Sequence, residues 1–215
     1  VLFDLWVGDP RIGPGADDGH AACVAASSAA PAQGCVGAGT GASVGKLFGI
    51  GRAMKGGIGS ASLRVGAFTV GALVAVNAIG DVIDDDGQVL AGARALDGTG
   101  TVGARQRLLA GEGPARVMAG MATTIGVVAT DALLSKAQAN KLASLAHHGL
   151  SRAIDPITVN DGDTLFALAT GTTGRAGDLS ALGAMAAEAV ARAIRNAVRS
   201  ARSLADPDLP GLAPG

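Results

Sequence analysis

The 215-residue chain has no tyrosine, one tryptophan and four phenylalanines, so aromatic residues make up 2%. That leaves too little π surface for a base-stacking platform, the usual grip on single-stranded nucleic acid. Charged residues are also scarce, at 16%, and 17 basic against 18 acidic side chains leave a formal charge of −1 with no basic run. Phosphate backbones are held by clustered Lys and Arg, so nucleic acid is excluded as the main partner. Two cysteines, Cys23 and Cys35, are too few for a disulfide scaffold and point to a reducing, cytoplasmic setting. No apolar run approaches the roughly 18 residues that a membrane span needs; the best, Thr69 to Ile79, is short and holds Asn77. No initiator methionine and no signal peptide precede Val1-Leu2-Phe3-Asp4-Leu5, which reads as a strand entered midway in a processed or truncated product.

Glycine, by contrast, is plentiful. Thirty-four of 215 residues, about 16%, are glycine against a usual ~7%, scattered through apolar segments without a G-x-y period. Glycine weakens strands, so this many predict close backbone packing, tight turns and a pocket built from main chain. Hydrophobic residues at 48% and a mean hydropathy of +0.38 supply a core for one domain, residues 1–215.

Element signals fall in blocks. Asp17–Ala30 reads as an alanine-rich helix closed by Pro31, and Gly34–Lys46 as a strand running into a loop. Gly57–Val65, Thr69–Asp84, Thr123–Ala129 and Thr164–Thr170 read as strands. Asp84-Asp85-Asp86-Gly87 is a turn by composition, and Leu96–Met121 a mobile connector with some helix. Ser135 caps a helix to Ile154, and Asp178 or Ser180 starts one to about Ser203. The order predicts a layered α+β architecture.

Two tempting motifs fail. A Walker A reading ending in Gly45-Lys46 needs Gly at Thr40 and Ser or Thr at Leu47. The G-x-G-x-x-A pattern of Gly37, Gly39 and Ala42 leads into more glycine rather than a helix, and no acidic residue lies near position 60. His20, His147 and His148 have no metal-ligand spacing. No cofactor and no metal are expected.

Thr123-Thr124 opening an apolar strand is, alone, ordinary β propensity. Six segments in order carry more: VLFDLWVGD (1–9), GAGTGASVGK (37–46), RAMKGGIGS (52–60), VGALVAVNAIGD (70–81), TTIGVVATD (123–131) and DGDTLFALATG (161–171). Together they resemble the DmpA-type aminopeptidases, the P1 peptidase family, which includes β-aminopeptidases and the nylon-oligomer hydrolase. The resemblance implies a four-layer αββα sandwich of N-terminal-nucleophile-like type, made as a precursor that cuts itself between Ala122 and Thr123 into residues 1–122 and 123–215. It implies hydrolysis of amide bonds in small peptides, amino-acid amides or oligoamides through an acyl-enzyme on Thr123. It also implies a homo-oligomer, tetrameric in the family, of processed pairs. The family's long stretch before the VLFDL-like segment is expected from another chain or lost.

By the same resemblance, Asn77 is the oxyanion donor, against the plainer reading of a strand-end Asn satisfied by backbone. Lys46 is the lysine near the nucleophile, with Lys55 as its rival. Asp161 and Asp163 are to hydrogen-bond the Thr123 amine and hold the substrate's amino group; without the resemblance they read as an Asx turn. Thr124 and Ser60 are lesser hydroxyls. Once the chain is cut, the Thr123 α-amine serves as base for its own hydroxyl, so no histidine is needed. Ala122 stands where family members typically carry Asn or Gly. Two other readings are an uncleaved, non-catalytic relative with a structural role and an acyltransferase of the ornithine-acetyltransferase type. The leading reading requires Thr123 to be open to solvent and close to Asn77 and both aspartates.

Overall fold

The computed structural model describes residues 2, 4–116 and 121–214. Val1 and Phe3 of the first matching segment, and residues 117–120 of the expected connector, lie outside the described residues. The strands are β1 (Ser43–Val44), β2 (Met54–Lys55), β3 (Gly57–Val65), β4 (Phe68–Asn77), β5 (Asp81–Ile83), β6 (Val89–Ala91), β7 (Thr123–Thr130), β8 (Ile154–Asp155) and β9 (Thr164–Ala169). The helices are α1 (Ala16–Val24), α2 (Ala104–Leu109), α3 (Lys136–Ala146), α4 (His148–Ser151) and α5 (Leu179–Arg199).

The main sheet runs β3-β4-β7-β9, antiparallel except for the parallel β7–β9 pair. Side chains alternate across a strand, so Val70, Ala72, Val74 and Val76 of β4 share one face with Val128 of β7 and Leu165 of β9. That face packs with the buried stripe of α5, including Leu182, Ala186, Val190, Ile194 and Ala197, in one continuous core. Gly59 of β3 makes the close approach possible, since a Cβ there would meet the backbone oxygen of Ala193. One sheet-and-helix pair of the expected sandwich is thus complete. Two smaller sheets, β1-β2 and β6-β5-β8, complete the strand set.

The helix starts match their sequence signals. Ser135 accepts the Gln138 amide while Gln138 returns to the Ser135 amide, a capping box. Asp178, rather than Ser180, caps α5 through the Ala181 amide at 2.8 Å.

Several boundaries differ from the sequence reading. Residues 4–7 form a turn instead of a strand, with the Val7 amide on the Asp4 carbonyl. α1 stops at Val24 and buries no residue, so nothing beneath it extends the helix. Gly34–Lys46 holds a 3₁₀ turn at Gly37–Gly39 and only the two strand residues of β1. The expected single strand Thr69–Asp84 breaks after Asn77, and its second part, β5, joins another sheet. The helix expected from Ser135 to Ile154 divides at His147, and Ile154 begins β8, paired with Val82. α5 ends at Arg199, four residues before Ser203.

Candidate active site

The β4–β7 register sets Asn77 opposite Thr123, the last residue of one strand against the first of the next. By alternation both lie on the sheet face away from α5. Past Asn77 the chain leaves the sheet, and there residues 45–46 pair with 79–80: the Gly45 amide donates to the Gly80 carbonyl and the Lys46 amide to the Ile79 carbonyl at 2.8 Å. Gly45 needs to be glycine twice over, for its φ of 72° and because a Cβ would strike the Gly92–Ala93 backbone. That approach seats Lys46.

Lys46 is fully buried. Its ammonium donates to the Asn77 Oδ1 at 2.7 Å, the Asn77 carbonyl at 3.0 Å and the Met121 carbonyl at 3.4 Å. Asn77 Oδ1 also accepts the Ser43 amide at 3.0 Å, and Asn77 Nδ2 donates to the Met121 carbonyl at 3.4 Å. Lys46 and Asn77 therefore grip the chain two residues before Thr123. Lys55, the rival, is also buried but donates to the carbonyls of Gly39, Ala42 and Gly56. Ser60 lies on β3, where its amide donates to Gln33.

The loop before β9 brings the acidic pair. The Gly162 amide donates to the Ala122 carbonyl at 3.1 Å, and the Thr123 hydroxyl donates to that same oxygen at 2.6 Å. Asp163 Oδ1 accepts the Thr124 amide at 2.6 Å. Asp161 accepts the Ile79 amide at 3.1 Å and the Thr158 hydroxyl at 2.6 Å. Asp163 thus holds the backbone directly after Thr123, while Asp161 holds the chain just past Asn77. Asp163 Oδ2 and the Thr124 hydroxyl are buried without a hydrogen-bond partner, a polar seam beside Thr123.

Burial sets the electrostatics. It pulls Lys46 down to about 7, against the opposing pull of Asp161 and Asp163. It pushes Asp163 up to about 6, and raises Asp161 as well.

Of the two requirements set on Thr123, the first concerns its neighbours: Asn77 stands opposite it in the sheet and Asp163 holds the amide of Thr124, while Asp161 bonds Ile79 and Thr158. The second, openness to solvent, fails: Thr123 is 1% exposed. Met121 and Ala122, directly before it, are buried as well. Gly162 is the residue that sequence reasoning missed. A Cβ there would sit 2.9 Å from the Thr123 Oγ1, and the only sequence signal was a glycine bracketed by the two aspartates. Among the described residues no group of His, Cys, Asp and Glu could hold a metal.

A threonine at a strand start, facing its own upstream carbonyl within a helix-covered sheet, fits the N-terminal-nucleophile class of hydrolase folds. The family model of peptidase family S58 matches residues 2–209, and the chain belongs to that family. It is 39% identical to an uncharacterized aminopeptidase of Mycobacterium leprae over all of this chain and 64% of that protein. It is 33% identical to the 6-aminohexanoate-oligomer endohydrolase of Paenarthrobacter ureafaciens over 79% of this chain and 48% of that one. Among solved structures it resembles the L-aminopeptidase D-Ala-esterase/amidase of Ochrobactrum anthropi, described as a variant of the Ntn hydrolase fold. That likeness has a TM-score of 0.61 and 25% identity, covering 87% of this chain and 50% of that one. The chain therefore spans about half to just under two-thirds of the length of these relatives, and its fold is of their α+β type.

Proposed function

We propose that this chain is part of a self-processing threonine hydrolase of amide bonds, acting on small peptides, amino-acid amides or oligoamides. The observation that carries the reading is the Ala122 carbonyl oxygen, which takes hydrogen bonds from both the Thr123 hydroxyl at 2.6 Å and the Gly162 amide at 3.1 Å. A carbonyl polarised by a fixed amide, with a hydroxyl against it, is arranged for an acyl shift. Thr123 Oγ bonds to the Ala122 carbonyl carbon, and charge collects on an oxygen that the Gly162 amide already faces. The Ala122–Thr123 C–N bond then breaks, and the hydroxyl proton passes to the leaving amine. Lys46, brought to about 7 by burial, is assigned as the group that carries this proton. Water adds to the ester, releasing the Ala122 carboxylate and restoring the hydroxyl.

After the cut, Thr123 holds both nucleophile and base, its α-amine having an ordinary pKa of ~7.7–8.0. Asp163 Oδ2, left unpartnered beside the strand start, is assigned to that new ammonium. Asn77 is assigned as a second oxyanion donor, its carboxamide fixed by Lys46 and Ser43. A cytoplasmic setting and an oligomer of processed pairs belong to the same proposal, supported by two free cysteines and by the family.

Intact mass of the denatured protein tests it. Wild type is expected to give two fragments meeting at Ala122/Thr123 and Thr123→Ala one full-length mass, with p-nitroanilides of α-, β- and D-amino acids and a 6-aminohexanoate oligomer then sorting substrates. A wild type that stays whole favours the uncleaved structural relative, the reading that a 1% exposed Thr123 would suit. If Thr123→Ala processes and turns over like wild type, the site is misassigned.

A further inference from the structure

The Ala122 side chain is completely buried, in a small apolar cluster separate from the main core. Its neighbours are Leu47, Ile79 and Ala104, all buried, with Phe48 packed against them. We propose that this cluster is the acyl-side specificity pocket of the site, sized for a small apolar acyl residue of the glycyl or alanyl class. The inference rests on the self-processing reading above and adds to it the identity of the acyl group.

The argument is chemical identity. The ester formed when Thr123 Oγ takes the Ala122 acyl group is itself an acyl-enzyme, with Ala122 as the acyl residue. Processing and turnover share one nucleophile and one oxyanion position, so the acyl side chain of a substrate falls where the Ala122 methyl lies. After the cut the 1–122 tail has to withdraw for a substrate to enter, and the place left by the Ala122 methyl is walled by Leu47, Ile79 and Ala104.

The walls are anchored to the catalytic residues. Leu47 and Phe48 directly follow Lys46, and the Leu47 carbonyl accepts the Ala115 amide at 2.8 Å. Ile79 lies two residues past Asn77, with its amide on Asp161 and its carbonyl on the Lys46 amide. The Arg52 guanidinium lies 5.2 Å from the centre of the Phe48 ring and is itself held by the Arg94 carbonyl at 2.6 Å. The Ala104 amide is fixed at 2.6 Å by the buried carboxylate of Asp81. Walls tied down in this way do not yield to a larger side chain, and a single methylene in such a pocket discriminates by about 10–200-fold.

The test uses the chain as its own substrate. Ala122→Gly, Ala122→Val and Ala122→Leu are followed by intact mass, each with and without Leu47→Ala. Ala122→Gly is expected to process, and Ala122→Leu to slow by at least about tenfold. Leu47→Ala is expected to recover at least about tenfold of that loss in the Ala122→Leu background. On processed protein, alanyl p-nitroanilide is expected to exceed leucyl p-nitroanilide and the 6-aminohexanoate oligomer in kcat/KM, with Leu47→Ala raising the leucyl-to-alanyl ratio. If Leu47→Ala does not fold, the Ala122 series and the wild-type substrate order decide alone. Processing that proceeds equally fast with Leu at 122, or wild type preferring leucyl or aminohexanoyl groups, overturns the pocket and leaves self-processing standing. A wild type that never cuts overturns both.

Discussion

The Lys46 ammonium is enclosed by the carbonyls of Asn77 and Met121 and the Asn77 carboxamide, and burial holds it near 7 instead of its ordinary 10.5. As the proposed proton carrier, it makes processing speed up as pH rises through about 7; a flat rate from pH 6 to 8 would remove it from that role. Lys46→Met should slow processing by about 10²–10⁴-fold. Stability follows with a definite sign. The folded pKa lies below the unfolded one, so the unfolded chain binds more protons between about pH 7 and 10.5, and wild type gains stability as pH rises across that window. Denaturant midpoints of Lys46→Met relative to wild type should therefore be highest below pH 7. Gly162 yields a second residue-scale prediction. Gly162→Ala places a methyl 2.9 Å from the Thr123 Oγ1 at an exposed loop position, so it should slow processing at least tenfold with little change in unfolding midpoint. An unchanged rate would mean that Thr123 does not attack from this position.

At the scale of elements, the contact between α5 and the main sheet carries most of the core, and the glycines of β3 govern how closely the two approach. Gly59→Ala drives a methyl into the Ala193 backbone oxygen. Backbone cannot swing aside as a flexible side chain does, so the expected loss is about 1–3 kcal/mol or more in denaturant unfolding. Asp178→Ala removes the Ala181 cap at the start of the same helix and should cost about 0.5–2 kcal/mol. The strand and helix centres were legible in the sequence because alternation and capping are local. The breaks were not. Nothing in Thr69–Asp84 states that the chain leaves the sheet after Asn77; it does so because residues 79–80 pair with 45–46, more than thirty positions away.

For the whole molecule, a cut at Ala122/Thr123 would separate strands that lie side by side. β7 pairs with β4 across the cut, and α5 from the second piece covers β3 and β4 from the first. The two pieces should co-elute in native size exclusion and separate only in denaturant, because parting would expose the continuous core. Separation without denaturant would contradict the interleaved sheet.

Read alone, the sequence carried the resemblance to the family in six ordered segments and, through that resemblance, offered Thr123, Asn77, Lys46, Asp161 and Asp163 as candidate site residues. It left Lys46 and Lys55 close rivals, since two buried lysines nine positions apart look alike until their carbonyl partners are seen. Only the tertiary structure showed the Gly162 amide on the Ala122 carbonyl, the Ala122 methyl inside a small apolar cluster, and Thr123 shut away from solvent. A main-chain donor has no letter of its own, and burial belongs to the residues that gather around a side chain, which in this fold come from segments far apart along the chain.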